Sequence, residues 1–417
     1  MRVPASITTS GNVDLPGKEA NRVESIKDKV AIVGMGCTKF GERWDVGLND
    51  LAIEAAYEAY EDAGVGPEDI QACWFGTVSA PVIGIGATVA AEALKLHDIP
   101  ITRVENWCAT GHEALRGACM GVASGMYDLV LVLGVEKLKD TGFAGLGTGR
   151  GMHPLYEARR TAPGSFALIA TRYFHQYGLS PEEGKRTIGK IAVKNHHNGS
   201  MCPKAHFRNE ITLEQVMNAP IIAWPLGLFD CCGNSDGGAA AIVVRADMAK
   251  QFRHDPVYIK GLGLSFDAML PHNRPGFSWT SFSSMVNSAR QAYEQAGVKN
   301  PRQELDIAVI HDCFTITELV IYEDMGFSPH GGAKEDIDSG FFTLEGGLPV
   351  NTDGGLKCFG HPVGASGLRM TYEVYKQIQG KAELPSRQLK EVKLGLSHTF
   401  GGPPQVSAVA ILGGEPG

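Results

Sequence analysis

Two cysteines and three histidines stand in settings that suit nucleophilic and acid–base chemistry. Cys108 lies in Glu105-Asn106-Trp107-Cys108-Ala109-Thr110-Gly111-His112. An apolar segment precedes it and a helical pattern follows, which predicts a strand-to-helix turn. Unpaired N–H groups and the helix dipole favour a thiolate at such a place. The small residues Ala109, Thr110 and Gly111 leave room for a substrate. The same local sequence also fits a buried structural cysteine. His361 lies in Cys358-Phe359-Gly360-His361-Pro362-Val363-Gly364-Ala365-Ser366-Gly367. A histidine followed by proline in a glycine-dense turn is held rigidly, as a base for Cys108 must be; alternatively it only hydrogen-bonds the turn. His311, Asp312 and Cys313 end the apolar run Ile307–Ile310. The carboxyl end of a parallel strand is where α/β folds place ligands and catalytic groups. Helix capping by Asp312 with a buried Cys313 is compatible with that. His398 follows a strand in Gly395-Leu396-Ser397-His398-Thr399-Phe400-Gly401-Gly402. Its glycines would expose N–H groups suited to an oxyanion hole.

Other groupings carry less. His196, His197, Cys202 and His206 lack CxxC or HExxH spacing, so no metal site is expected. Cys231 and Cys232 precede a glycine-rich turn and read as packing. Gly34-Met35-Gly36 has no third glycine at the dinucleotide spacing, which argues against a Rossmann nucleotide site.

The elements that must position these residues are written twice in the chain. Residues 59–65 read AYEDAGV and residues 292–298 read AYEQAGV. Both end a helical pattern at a glycine, and both lead into a short apolar run. Similar opening strands precede them, at Val30–Gly34 and Val257–Gly261. Cys108-Ala109-Thr110-Gly111 echoes Gly364-Ala365-Ser366-Gly367, and the strand Leu129–Val135 echoes Val392–Leu396. Strands alternating with helices predict an α/β fold of parallel βαβ units. The expected divisions are an N-terminal extension over 1–28, a first half over 29–254 and a second half over 255–417. A loop domain inserted at about 140–223 accounts for the greater length of the first half, and long insertions are usually functional.

Composition narrows the class. Fifty-two glycines among 417 residues argue against a simple helical bundle. The charge is −8, from 38 basic and 46 acidic residues, which gives no support for nucleic-acid binding. No run approaches the ~18 apolar residues of a membrane span. The polar first 28 residues lack the apolar core of a secretory signal. Nine cysteines without scaffold spacing predict reduced thiols and a cytoplasmic protein.

Taken together, the Cys108 turn, GHPVGASG at 360–367, the duplicated halves and a His-Gly-Gly loop resemble the thiolase superfamily. HDCF at 311–314, and the stretch from Lys194 to Gly238, resemble its sterol-carrier-protein type. The resemblance implies the five-layer αβαβα thiolase fold, usually a homodimer, and chemistry on coenzyme A thioesters. It also implies no permanently bound cofactor, with coenzyme A serving as substrate or product. By the same resemblance Cys108 takes the acyl group, and His361 activates it and forms an oxyanion hole with His311. Cys313 is the second acid/base, and His398 with its glycine loop supports the site. Coenzyme A is expected through the loop domain, where Arg150, Arg159, Arg160, Lys185 or Arg186 would meet its phosphates. Some members work with a small zinc-ribbon/OB-fold accessory protein. Aromatic or branched acyl groups, as in benzoylsuccinyl-CoA, are within the subgroup's range, and Trp107 would shape the acyl pocket. The alternatives are a retro-aldolase acting on a CoA thioester, in which the nucleophilic cysteine is typically absent, or a non-catalytic subunit. The presence of Cys108 and of the whole set favours a thiolase.

Overall fold

The computed structural model describes residues 25–78, 87–141, 161–267, 277–382, 385–402 and 404–416. Its strands are β1 (Val30–Cys37), β2 (Cys73–Gly76), β3 (Ile101–Val104), β4 (Leu129–Glu136), β5 (Ile221–Ala223), β6 (Leu226–Gly227), β7 (Gly237–Arg245), β8 (Val257–Phe266), β9 (Ile307–Val309), β10 (Leu394–Gly401) and β11 (Val406–Gly413). The helices that matter for the site are α1 (Leu48–Ala63), α2 (Thr110–Ala123), α3 (Ala162–Gln176), α4 (Pro181–Ser200), α5 (Ser283–Ala296), α6 (Thr315–Asp324), α7 (Gly355–Phe359) and α8 (Val363–Ile378).

Nine strands form one sheet in the order β3-β2-β4-β7-β1-β8-β11-β10-β9. Read outward from the β1/β8 junction, the two sides match. On one side β1 pairs antiparallel with β7, β7 antiparallel with β4, and β4 parallel with β2. On the other side β8 pairs antiparallel with β11, β11 antiparallel with β10, and β10 parallel with β9. The junction itself is short, with Ala31 opposite Tyr258 and Ile32 opposite Val257. The duplication expected from the sequence is therefore a duplication of topology. The antiparallel β7 and β11 depart from a purely parallel reading. β11 follows β10 through a tight turn, and a tight turn returns the chain antiparallel.

The central strands β1, β4, β7 and β11 are largely apolar because both of their faces are covered. In β1, Val30 and Ile32 enter one hydrophobic cluster while Ala31 and Val33 enter another, the period of two that a strand imposes. α1 covers the outer face of β1 and β7, and α5 covers β8 and β11. α2 and α8 pack on each other and lie between the two sides of the folded sheet, touching β4 and β7 on one side and β10 and β11 on the other. Helix, sheet, helix pair, sheet and helix make the five-layer αβαβα thiolase architecture. The repeated AYE-x-AGV motifs close α1 and α5, and their glycines, Gly64 at φ 70° and Gly297 at φ 85°, take the left-handed turn that ends each helix. α3 and α4 belong to the inserted segment. α4 packs against α6 and α7, so the insertion sits over the second half of the molecule.

Candidate active site

Cys108 sits in the turn between β3 and α2. Asn106 and Trp107 accept the N–H groups of Ala109 (3.0 Å) and Thr110 (3.1 Å), which winds the chain into the helix. The Thr110 hydroxyl accepts the Asn106 N–H at 2.9 Å and fixes the same turn. Trp107 is held at φ 51°, a left-handed conformation unusual for a bulky residue. Strain of this kind collects where a neighbouring atom must be aimed. His361 stands one residue before the Pro362 that opens α8. Its N–H donates to Gly233 O at 3.0 Å, and its Nδ1 meets Ser366 Oγ at 2.8 Å.

The fold brings the two turns together. The sulfur of Cys108 and a ring nitrogen each of His311 and His361 all lie within 4.8 Å of one another. The rings of His311 and His361 meet edge to face at 4.9 Å, and Phe400 packs on His311 at 4.3 Å. Close backbone approach makes this convergence: a Cβ on Gly111 of α2 would stand 3.0 Å from Gly364 O of α8. Cys313 is buried near this group, its thiol 3.9 Å from Thr317 Oγ1; burial, with Cys232 and Cys108 nearby, pushes that thiol well above the usual range. His398 is buried within β10, not in the glycine loop beyond it; its Nε2 meets Ser407 Oγ at 3.0 Å. Pairing with β11, His398 opposite Val409, carries β10 past residue 398 and on to Gly401, while the β9 ladder ends at Ser397.

The reacting thiol and imidazoles are uncharged at rest. Burial pushes the Cys108 thiol up to about 12, against hydrogen bonds from Gly402 N–H and its own N–H that favour the thiolate. The helix-terminus thiolate expected from local sequence is thus outweighed by desolvation in the resting site. Burial holds His361 down to about 3 and His311 and His398 well below the usual histidine range. Neutral imidazoles can accept a proton, and several ring nitrogens have no hydrogen-bond partner: His361 Nε2, both nitrogens of His311, and His398 Nδ1. Buried polar atoms left open in this way are what an entering substrate oxygen or thiol would satisfy.

Asp312 caps α7 rather than α6, accepting the N–H groups of Leu356 (2.6 Å) and Lys357 (3.0 Å) and the Asn195 amide (2.9 Å). Burial, with Glu318 nearby, raises its carboxyl to about 7. It therefore ties the His311–Cys313 segment to α7, the element that leads into His361.

Three residues at the site escaped the sequence reading. Glu136 ends β4, and its carboxylate accepts the N–H of Val78 and of Gly364, each at 3.0 Å, capping α8. A charged residue closing an all-apolar strand was the available signal. His112, one turn after Cys108, meets Thr399 and Ser397 hydroxyls at 2.8 Å each, clasping the residues that flank His398. Cys232 donates its N–H to Cys313 O at 2.9 Å and lines the site instead of merely packing.

Among the remaining sequence candidates, His196 binds Asn209 O, His197 pairs with Glu210 and His206 meets Ser235, so these side chains do not converge. Lys185 is buried in an ion pair with Asp230, and Arg186 pairs with Glu182 on the surface. Arg150, Arg159 and Arg160 lie outside the described residues. All nine cysteines are free. No helix among the described residues is long and apolar enough to cross a membrane.

Comparison with known proteins adds to this geometry. A family model described as the thiolase N-terminal domain matches residues 30–247, and one described as thiolase C-terminal domain-like matches 273–414. The chain is 38% identical to an acetyl-CoA acetyltransferase of Methanothermobacter thermautotrophicus, over 92% of this chain and 99% of that one. It is 30% identical to sterol carrier protein 2 of Gallus gallus, over 89% of this chain and 70% of that longer protein. Its structure is similar to that of an Ltp2-ChsH2(DUF35) aldolase, with a TM-score of 0.80 and 27% identity, covering 94% and 99% of the two chains.

Proposed function

From the premise that the chain belongs to the thiolase superfamily, in its sterol-carrier-protein type, we propose that it cleaves or forms the carbon–carbon bond of a 3-oxoacyl-CoA through an acyl group on Cys108. The observation that carries this reading is the convergence of the Cys108 sulfur with ring nitrogens of His311 and His361.

In the cleavage direction the neutral His361 takes the Cys108 proton as the sulfur attacks the 3-oxo carbon. Imidazole N–H or backbone N–H groups receive the oxyanion. The bond between C2 and C3 then breaks, leaving the acyl group on sulfur. The departing C2 carbanion takes a proton from Cys313 and leaves as acetyl-CoA or its analogue. A second coenzyme A attacks the acyl-sulfur bond, its thiol proton restores Cys313, and Cys108 recovers its proton from His361. Two thiols in different surroundings divide nucleophile from acid because thiol acidity is readily tuned. Coenzyme A is substrate and product in this scheme, with no resident cofactor, and the protein works as a cytoplasmic homodimer. Trp107, standing against Gly402, borders the acyl pocket and suits aromatic or branched groups.

The test is intact-mass analysis after mixing with a panel of acyl-CoA thioesters. Acylation mapping to Cys108 is expected; an unmodified Cys108 across the panel refutes the proposal. Similarity to a DUF35-partnered aldolase favours a second reading, a retro-aldolase with an accessory zinc-ribbon/OB-fold subunit. Release of a free carbonyl product without consumption of coenzyme A would select it.

A further inference from the structure

One buried cation has no role in the chemistry above. Lys357 lies on α7, between the Asp312 cap and the Gly360-His361 turn, and is 2% exposed. Its Nζ is buried and has no hydrogen-bond partner. The buried lysines around it are paired: Lys185 with Asp230, and Lys194 with Glu318 at 2.6 Å. A buried amine without a hydrogen-bond partner is costly, so an orphan beside the site marks a place where an acceptor arrives.

The position of that charge is fixed by its neighbours. The Lys357 main-chain N–H is bound to Asp312, which lies between His311 and Cys313. Burial raises the Cys231 and Cys232 thiols, and the nearby Lys357 side chain partly offsets it. Cys231 bridges to Phe314, and Cys232 is hydrogen-bonded to Cys313. α7 packs against the inserted helix α4, where the Cys358 thiol donates to Asn195 O at 3.2 Å, so Lys357 lies between the His311–Cys313 segment and that helix. Residues 231–234 and Cys108 are partly open to solvent.

We infer that Lys357 binds a carboxylate carried on the acyl portion of the CoA thioester. The inference rests on the acyl-Cys108 reading and names its substrate class. The phosphates of coenzyme A are excluded as the anion on reach: the pantetheine arm separates them from the thioester sulfur by far more than the span of the thiol cluster. An anion beside Cys232 and Cys313 must sit on the acyl side of that sulfur.

The experiment compares two 3-oxoacyl-CoA thioesters of equal chain length, one ending in a carboxylate and one in a methyl group. The expected kcat/KM of the wild-type protein is about 10- to 100-fold higher for the carboxylate-ended thioester, the range of a charge-assisted hydrogen bond in a dry site. Lys357→Met collapses that ratio and Lys357→Arg partly keeps it. A wild-type ratio of one or below overturns the inference, and so does a Lys357→Met ratio equal to that of wild type. The wild-type comparison stands even if the variants fail to fold. Turnover of the methyl-ended thioester through acyl-Cys108 without carboxylate preference sinks this inference alone. Absence of Cys108 acylation by either thioester sinks the thiolase reading instead.

Discussion

At the scale of single residues, the site is a set of neutral acids and bases awaiting a substrate. A thiol at about 12 beside an imidazole at about 3 stores no ion pair at rest; the proton moves when a polar substrate enters. Removing either thiol should therefore affect different steps. Cys108→Ser is expected to abolish acylation and thiolysis together, read as a missing mass adduct and absent turnover. Cys313→Ala is expected to acylate at Cys108 but to lose condensation by two or more orders of magnitude, the upper part of the range for a proton-transferring group. A Cys313→Ala protein that condenses at the wild-type rate would remove Cys313 from the mechanism. Glu136 offers a subtler test. Burial is the main force that raises the Cys108 thiol and the Glu136 charge adds to it, so Glu136→Gln should let Cys108 titrate at slightly lower pH, followed as the rate of alkylation against pH. An unchanged or higher titration point would contradict the electrostatic reading.

At the scale of elements, the chemistry depends on how closely α8 approaches α2 and the ends of β2 and β4. Gly364 is the critical contact. A Cβ there would stand 2.7 Å from Gly76 O and 3.0 Å from Val135 O, both backbone atoms that cannot swing away. Gly364→Ala is expected to cost about 1–3 kcal/mol of stability, as overpacking does. It should also lower turnover, because His361 lies three residues upstream on the same turn. Thermal melting and kcat together check this, and a variant with both unchanged would show that α8 has slack. Much of this level was legible in the sequence: both AYE-x-AGV motifs, the strand at 129–135 and the glycine-rich openings of α2 and α8 all announce themselves locally. The antiparallel β7 and β11 were not legible, because a strand buried on both faces reads as a plain apolar run whatever its direction. His398 was misplaced by its glycines, which suggest a loop while pairing with Val409 of β11 keeps the residue in β10. Glu136, His112 and Cys232 stayed hidden for a further reason. Their partners lie 228, 285 and 81 positions away, and single-sequence patterns carry no such pairing.

At the scale of the whole molecule, the duplicated sheet buries an unusual load of neutral histidines, and this sets how stability responds to acid. Burial lowers His112 and His361 to about 3, His196 to about 4, and His311 and His398 further below the ordinary value of 6.5. Between pH 6.5 and about 4 the unfolded chain protonates these five sites while the folded chain does not. The unfolded state then binds more protons, so stability rises with pH and falls on acidification. Three buried carboxyls oppose the trend. Asp312 and Asp324 are raised to about 7 and Glu323 is raised as well, so the folded state holds their protons, and their contribution weakens as pH rises through the folded values. With His206 also lowered by burial, six histidines against three carboxyls leave a net loss of stability on acidification. Paired carboxylates such as Asp255, lowered to about 2 with Arg253 and Lys381 as partners, add to that loss only below about 4. The melting temperature should therefore fall steadily from pH 6.5 to 4, ahead of any carboxylate transition. His112→Gln should flatten that slope by close to one proton, since glutamine keeps hydrogen bonds to Ser397 and Thr399 within reach and carries no titrating group. A melting temperature that is level across this window, or a His112→Gln slope identical to wild type, would mean that the core histidines are not held neutral by the fold.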